Sequence, residues 1–304
     1  MKSKSRKSKS LICKYKSICM IGLLFLYAAG CSFVWNAMSG YVFAYGQESN
    51  DERMTDAGDD YILLEDSDIL SGYENGEQAF VSDSEMMSAE DILSGNSIEE
   101  LPDEKDSDAE LSKDDWRLVL INKQHAIPED YTFTFGTINT VKGTMKCDER
   151  IIPDLLKMLQ AAKDDGINLQ ICSPYRDTER QTYLFDKKIK VYMKQGMSYM
   201  DAYALTAQAV TVPGASEHQI GLALDIVCDN YAYLNEGFGD TDAGKWLAKH
   251  GCEYGFILRY PKGKEYITGI EYEPWHYRYV GTEAAMIITK ENLTLEEFVD
   301  LLED

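Results

Sequence analysis

The folded part of this sequence lacks the basic excess that a nucleic-acid-binding protein needs. The chain has 304 residues, of which 52 are acidic and 30 are Lys or Arg, for a formal net charge of −22. Most of the acid excess lies in residues 47–115, where 24 acidic residues stand against three basic ones, whereas residues 116–304 contain 28 and 20. Recognition of nucleic acid requires a basic face on the folded domain, so we expect no nucleic-acid partner.

The sequence also lacks a Cys-x-x-Cys pair, although it has seven cysteines. That absence argues against a structural zinc site built from cysteines. Four cysteines fall in the C-terminal part, at Cys147, Cys172, Cys228 and Cys252. They either form up to two disulfides or are small buried apolar residues, and both interpretations stay open. Histidine is scarce as well, with four in the chain, at His125, His218, His250 and His276.

No charged residue occurs between Lys16 and Glu48, and seven Lys or Arg precede that stretch. Its apolar run is long enough to cross a bilayer, which takes about 20 residues. We therefore expect residues 1–46 to be a basic cytoplasmic tail and a membrane anchor, with the rest of the chain outside the cytoplasm. Two alternatives are a signal peptide cleaved after Gly46 and a lipoprotein cleaved before Cys31.

Residues 47–115 have the composition of a disordered acidic linker, because acidic and small polar residues dominate and aromatic residues are few. One short repeat occurs in it, since the sequence of Asp68–Gly72 recurs at Asp91–Gly95. The repeat is either a docking motif or a local duplication in a tether. The composition changes at Trp116, so we expect residues 116–304 to be the folded domain.

The periodicity of apolar residues predicts five strands and five helices along this domain. Predicted strands cover residues 116–122, 167–172, 221–227, 255–259 and 266–272. Predicted helices cover residues 149–163, 177–195, 198–210, 242–250 and 295–302. Helices dominate the first half and strands the second, which favours an α+β fold with a small antiparallel sheet and flanking helices.

Two stretches bring together residue types that bind metal. His218 and Asp225 lie seven residues apart across Gly221, and Asp225 shares one face of its predicted strand with a small alanine, which leaves room for an ion. Glu273 and His276 lie three residues apart. They would share a face of a helical turn or oppose each other on a strand, and the intervening proline permits a bend.

These four side chains form the set that a catalytic zinc site needs. Catalytic zinc commonly has three protein ligands and one open position, and we expect His218, Asp225 and His276 to be the ligands. Glu273 would be the base that takes a proton from the attacking water. Taken alone, Asp225 is better explained as a solvated carboxylate and His218 as a loop histidine. Only their combination favours Zn²⁺.

Four further residues are candidates for the same site. Arg176 would stabilise the negative charge of a tetrahedral intermediate, unless it is an ordinary surface arginine. Gln181 would bind substrate or be a solvated helix residue. Ser216 would line the pocket or cap a turn, and Trp275 would shield the site or pack in the core.

Several motifs, in this order, resemble those of the VanY-type D-alanyl-D-alanine carboxypeptidases, zinc peptidases that share the Hedgehog/DD-peptidase fold. They are Ser173-Pro174-Tyr175-Arg176, Ser216-Glu217-His218-Gln219-Ile220-Gly221-Leu222-Ala223-Leu224-Asp225-Ile226 and Glu273-Pro274-Trp275-His276-Tyr277-Arg278-Tyr279. The resemblance implies that His218, Asp225 and His276 bind zinc and that Glu273 is the base. It also implies that Arg176, Gln181 and Ser216 contact substrate. Pro174 departs from the family pattern, where glycine is usual.

The resemblance implies a zinc-dependent carboxypeptidase that removes the C-terminal D-alanine from peptidoglycan stem peptides, with D,D- or L,D-specificity left open. The alternatives are a non-catalytic wall-binding or sensor module on the same fold and a peptidoglycan endopeptidase. The expected partners are the stem peptide and, through the N-terminal segment, the membrane. The expected location is the cell membrane with the domain outside, or secretion if the segment is cleaved.

Overall fold

The computed structural model describes residues 79–80, 86–96, 111–140 and 143–302. Its strands are β1 (Ala79–Phe80), β2 (Met87–Ser88), β3 (Phe135–Thr140), β4 (Gly143–Asp148), β5 (Leu169–Ser173), β6 (Ala223–Cys228), β7 (Tyr233–Leu234), β8 (Phe256–Leu258) and β9 (His276–Tyr279). Its α-helices are α1 (Ala89–Gly95), α2 (Ile152–Asp164), α3 (Thr178–Lys194), α4 (Tyr199–Ala209), α5 (Asp242–His250), α6 (Glu265–Thr268), α7 (Thr282–Glu291) and α8 (Leu295–Leu301).

The central feature is a five-stranded antiparallel sheet with the strand order β2-β5-β6-β9-β8. Its register places Asp225 of β6 directly opposite His276 of β9. On the other side of β6, Ser173 of β5 pairs with Asp225. This sheet and its flanking helices confirm the predicted α+β fold. Two smaller pairs, β1 with β7 and β3 with β4, complete the described strands.

The core explains why β6 is central, because all six of its residues are buried. Leu224 and Ile226 are fully buried on it, and α2 contributes Leu155 and Leu159 to the same cluster. The helix predicted at residues 149–163 is thus confirmed as α-helix from Ile152, and residues Glu149–Ile151 form a 3-10 turn before it. Gly166, with φ of +79°, lets the chain leave the helix and turn into β5.

Helices α3 and α4 form a smaller layer beside the sheet. The Asp177 and Ser198 side chains cap these two helices, each by accepting a hydrogen bond from a backbone NH in the first turn. Their facing sides share a separate apolar cluster that includes Phe185 and Ala202. The first turn of α3 carries Gln181, which is buried.

The prediction that all of residues 47–115 lie outside the fold is wrong for residues 79–80, which pair with β7, and for residues 86–96. Strand β2 extends the sheet next to β5, and α1 buries Ala89 and Ile92 in the main core. Ser88 caps this helix, and Glu90 and Asp91 occupy its first turn, where negative charge is favourable. The overall acidity of the segment therefore concealed a locally capped helix with apolar residues three apart.

The second copy of the repeat, Asp91–Gly95, forms most of α1. The first copy, Asp68–Gly72, and the predicted membrane segment in residues 1–46 lie outside the described residues. Among the helices that the structure describes, none is both long and apolar enough to span a bilayer.

Two of the predicted strands are wrong. Residues 116–122 begin with a 3-10 turn at Trp116–Leu118, because the Asp115 carboxylate caps it and the Trp116 ring stacks on Tyr279. Residues 266–272 contain the short helix α6, which ends at Gly269 in a left-handed conformation. The β3–β4 hairpin and helix α7 were not predicted.

Helix α5 ends at His250 as predicted, although Gly251 continues as a 3-10 turn. That turn stops at Gly255, whose φ is +84°. Within the described part of the chain, no disulfide joins the four cysteines at positions 147, 172, 228 and 252. Three of them are buried and one is half-buried, which agrees with the interpretation as small core residues.

Candidate metal centre and active site

The three predicted metal ligands converge in the structure. The donor atoms of His218, Asp225 and His276 all lie within 4.8 Å of one another, and the three residues are buried. His218 lies on a 3-10 turn, Glu217–Ile220, just before β6. Asp225 and His276 are brought together by the pairing of β6 with β9.

Gly221 connects the histidine to the strand. Its φ is +71°, the left-handed region that glycine enters without strain. A Cβ at this position would lie 2.7 Å from the backbone nitrogen of Asp148 and 2.8 Å from the Phe133 ring. Both the conformation and the close packing therefore require glycine here, and together they set His218 beside Asp225.

The donor atoms point towards a common centre. Oδ1 of Asp225 lies 3.4 Å from Nε2 of His218 and 3.1 Å from Nδ1 of His276. The other ring nitrogen of His218, Nδ1, lies 2.9 Å from the carbonyl oxygen of Pro174 and must donate a proton to it. Nε2 of His218 therefore carries a lone pair, and it is buried without a hydrogen-bond partner among the described residues.

This arrangement fits zinc on its own geometry. Two imidazole nitrogens and one carboxylate oxygen are a common ligand set for catalytic zinc. A buried ring nitrogen with no hydrogen-bond partner in the described part of the chain is unfavourable unless a cation or donor occupies the space before it. The imidazole rings stand edge to face, with centroids 4.9 Å apart, so neither blocks the other's approach to that space.

Glu273 reaches the same centre through a turn. The backbone NH of His276 donates to the carbonyl of Glu273, with an N–O distance of 3.1 Å, and Pro274 and Trp275 form the bend. Oε2 of Glu273 lies 3.7 Å from Nδ1 of His276. The bend, rather than a strand, therefore brings this acid and this histidine together.

Burial and neighbouring groups shift the pKa values of the four central side chains in different directions. Burial raises the pKa of Glu273 to about 8. Burial, aided by the nearby Arg176, lowers the pKa of His218 to about 4. Burial also opposes charge on His276 and Asp225, but hydrogen bonds outweigh it. They raise the pKa of His276 to about 9, and His218 and His276 hold the pKa of Asp225 well below its usual range.

Arg176 lies at the site and is not an ordinary surface arginine. Its Nη2 donates to Oδ2 of Asp225 at 2.8 Å, and its Nε donates to the hydroxyl of Ser173 at 2.8 Å. The side chain is 14% exposed, so it is largely but not fully buried. Asp225 thus uses one oxygen towards the imidazoles and the other towards Arg176.

Gln181 is 1% exposed, so its interpretation as a solvated helix residue is wrong. Its Oε1 accepts from Nη1 of Arg176 at 3.2 Å, and its Nε2 donates to the carbonyl of Thr211 at 2.7 Å. The Gln181 amide therefore helps to hold the Arg176 guanidinium in place. Its predicted contact with substrate stays a prediction.

Ser216 is 3% exposed and sits at the start of the 3-10 turn, but within the described structure its side chain makes no capping hydrogen bond. Its predicted role in substrate contact stays a prediction. Trp275 belongs to the main core, and the ring that covers His276 is instead Tyr260, with centroids 4.8 Å apart. His125 and His250 are not members of this metal cluster.

Glu217 is a site residue that the sequence did not reveal. Its Oε1 accepts hydrogen bonds from Nε of Arg259 at 2.7 Å and from Nη1 of Arg278 at 2.8 Å. Its Oε2 lies 3.5 Å from Nε2 of His276. Although burial opposes it, the two guanidinium groups lower the pKa of Glu217. The signal in the sequence was a pair of arginines within the apolar stretches around β8 and β9.

The geometry can be compared with known proteins. Residues 144–282 match the family model VanY, D-alanyl-D-alanine carboxypeptidase. The chain is 37% identical over 211 residues to a D-alanyl-D-alanine carboxypeptidase of Enterococcus faecalis, which covers 68% of this chain and 75% of that protein. It belongs to the VanY D-alanyl-D-alanine carboxypeptidase family. It is also 42% identical over 191 residues to the putative carboxypeptidase YodJ of Bacillus subtilis, covering 60% of this chain and 67% of YodJ.

Solved structures of VanY relatives share the fold. VanYB in complex with D-alanine-D-alanine superposes with a TM-score of 0.56 at 40% identity, covering 61% of this chain and 98% of that one. A VanB-type VanY D,D-pentapeptidase variant in complex with Zn(II) gives 0.55 at 40% identity, covering 60% and 99%. The LdcB LD-carboxypeptidase gives 0.50 at 39% identity, covering 60% and 86%.

Proposed function

We propose that this chain is a zinc-dependent carboxypeptidase that removes the C-terminal D-alanine from peptidoglycan stem peptides. The observation that carries the proposal is the buried cluster of His218, Asp225 and His276 with Glu273 beside it. The VanY relatives support it, because one is described in complex with Zn(II) and another with D-alanine-D-alanine.

Zinc would be held by Nε2 of His218, Oδ1 of Asp225 and Nδ1 of His276. When bound, the ion supplies Lewis acidity and lowers the pKa of a coordinated water to about 7. Glu273 accepts the proton of the attacking water and delivers it to the amine that leaves. Burial raises the pKa of Glu273 to about 8, and the positive charge of a bound ion would lower it towards neutral pH, where the carboxylate can accept a proton and then release it.

Arg176 provides positive charge where the carbonyl oxygen of the substrate becomes negative. Contacts with Ser173, Gln181 and Asp225 hold its guanidinium on three sides, so little reorganisation accompanies the reaction. Ser216, buried two residues before His218, is proposed to contact the substrate. The burial of the four central side chains limits the access of bulk water.

The test uses the purified full chain with confirmed zinc and stem peptides that end in one or in two D-alanines. Release of D-alanine would be followed by mass spectrometry. Glu273→Gln should lower kcat by about 10²–10⁴-fold, because the amide cannot take up the proton, while zinc content stays unchanged. Glu271→Gln removes a charge from the same loop and is the matched control, expected to have a far smaller effect. Zinc-loaded protein that cleaves neither peptide would contradict the proposal.

The same assay separates the alternatives. Cleavage only of the peptide with two D-alanines would assign D,D-specificity, and cleavage of the peptide with one would assign L,D-specificity, which the similarity to the LdcB LD-carboxypeptidase supports. Products cut within the stem would indicate an endopeptidase. Binding without turnover would indicate a wall-binding or sensor module, which the presence of Glu273 at the site argues against.

We also propose that residues 1–46 anchor the chain in the membrane, or direct its secretion if they are cleaved, so that the enzyme faces the cell wall. The basic start and the uncharged stretch from Lys16 to Glu48 support this. In this proposal the linker ends before β1. Cell fractionation followed by protease treatment of intact cells tests it, and full-length protein in the cytoplasmic fraction, protected from protease, would contradict it.

A further inference from the structure

Glu217 immediately precedes the proposed ligand His218, yet its carboxylate reaches the other proposed histidine ligand. Oε2 of Glu217 lies 3.5 Å from Nε2 of His276. Both atoms are buried, and neither has a hydrogen-bond partner of standard geometry among the described residues. An acceptor and a ring nitrogen therefore lie next to each other, and no other described group forms a hydrogen bond with either.

The other carboxylate oxygen of Glu217 is fixed. Oε1 accepts from Arg259 and Arg278, and all three side chains are fully buried. Glu296 in turn holds Arg259 through two hydrogen bonds of 2.6 and 2.8 Å. Nη2 of Arg278 donates to the carbonyl oxygens of Arg117 and Val119. Because Oε1 is held by two donors, Oε2 has a fixed direction, towards His276.

Burying such a set of charges is unfavourable unless it is fully paired, and an apolar set of similar volume is often at least as stable. Stability alone therefore does not account for this network next to the metal centre. A ligand histidine usually donates its second ring NH to a carboxylate or carbonyl, which sets the tautomer and raises the basicity of the coordinating nitrogen. For His218 that acceptor is the carbonyl of Pro174.

We propose that Glu217 is the positioning residue of His276. Its Oε2 accepts the Nε2 proton of His276 and thereby leaves Nδ1, which faces Asp225 and Glu273, free to coordinate zinc. The two imidazoles are thus held in opposite tautomers, His218 by a backbone carbonyl and His276 by a carboxylate. This inference rests on the proposed function, because it requires a metal at the site.

The substitution Glu217→Gln tests the proposal because it replaces the hydrogen-bond acceptor that faces Nε2 of His276 with a donor. The two arginines would draw the amide oxygen, and the amide NH₂ group would then face Nε2 of His276 as a donor. That contact favours a proton on Nδ1, where it blocks coordination. Glu296→Gln is the matched control, since it also removes a carboxylate from Arg259 but does not touch His276.

Zinc affinity and ring protonation are the readouts. Glu217→Gln should weaken zinc binding by about 10- to 100-fold, the range typical for loss of a group that accepts a hydrogen bond from a ligand histidine. The zinc affinity of Glu296→Gln should stay near that of the unsubstituted chain. Nitrogen-15 NMR of the zinc-loaded full chain should show a proton on Nε2 and metal on Nδ1 of His276, and four histidines make the assignment tractable. If Glu217→Gln does not fold, as judged by circular dichroism, the NMR result for the unsubstituted chain still decides.

Two outcomes would overturn the proposal: equal zinc affinity for Glu217→Gln and Glu296→Gln, or metal on Nε2 of His276. The failure of the proposed function is distinguishable. Unsubstituted protein that binds zinc through Nδ1 of His276 but cleaves no stem peptide would contradict the carboxypeptidase activity and leave the role of Glu217 intact.

Discussion

Replacing Ile92 by alanine should destabilise the whole domain, although this residue lies in an acidic stretch that resembles a tether. Ile92 is 0% exposed, and its helix α1 packs against α2, β3 and β5. Truncation of a buried isoleucine to alanine costs about 2–5 kcal/mol, which combines lost transfer free energy with the cavity left behind. For a domain of this size each kcal/mol lowers Tm by about 2–4 °C. A loss of about 3 kcal/mol would therefore lower Tm by about 6–12 °C.

Thermal unfolding followed by circular dichroism would measure the change. All proteins would be compared at one fixed zinc concentration, because a ligand that binds the folded state raises Tm. Glu90→Ala is the control in the same helix, since Glu90 is exposed and its ion pair with Lys163 is long at 3.7 Å. The control should change stability by less than about 0.5 kcal/mol. Equal Tm values for the two variants would refute the assignment of α1 to the core.

Three further predictions concern the site. Gln181→Ala should lower kcat/KM by about 10- to 100-fold, because it removes a hydrogen bond to the charged Arg176, while zinc content measured by mass spectrometry stays unchanged. Zinc binding should release at least one proton near neutral pH, since His276 has a pKa of about 9 without metal and must become neutral to coordinate. Zinc affinity should therefore rise with pH up to about that value, and calorimetry in two buffers of different ionisation enthalpy that finds no proton release would contradict this. Gly221→Ala should destabilise more than Gly166→Ala in urea unfolding. Both have positive φ, which costs alanine about 1–2 kcal/mol, but only at Gly221 would the new Cβ also clash, at 2.7 Å from the end of β4.

Local patterns in the sequence were sufficient for several parts of the fold. The amphipathic helix at residues 149–163 and the capped helices that begin at residues 178 and 199 have periodicity and caps that act within a few residues, and the structure confirms them. Strand pairing depends on distant partners. For this reason a strand was wrongly predicted at residues 266–272 and the β3–β4 hairpin was missed. Apolar alternation does not specify which segment will pair with another strand.

The sequence by itself determined which residue types can carry the chemistry. With four histidines in the chain, two of them beside acids in ordered motifs, His218, Asp225, His276 and Glu273 could be selected from the sequence alone. The tertiary structure decided how they meet. The β6–β9 register sets Asp225 opposite His276, and a turn rather than a strand delivers Glu273.

Only the tertiary structure could connect the residues that support the site. Arg259 and Arg278 lie 42 and 61 residues from Glu217 along the chain, and their joint contact arises from the pairing of β8 with β9. Residues 86–96 join the core because β5 offers an unpaired edge and α2 an apolar face, neither of which the acidic segment encodes. Local sequence determines the helix and strand propensities and the residue types available for chemistry. Burial and long-range strand pairing depend on contacts between segments that are far apart in the chain, so only the tertiary structure decides them.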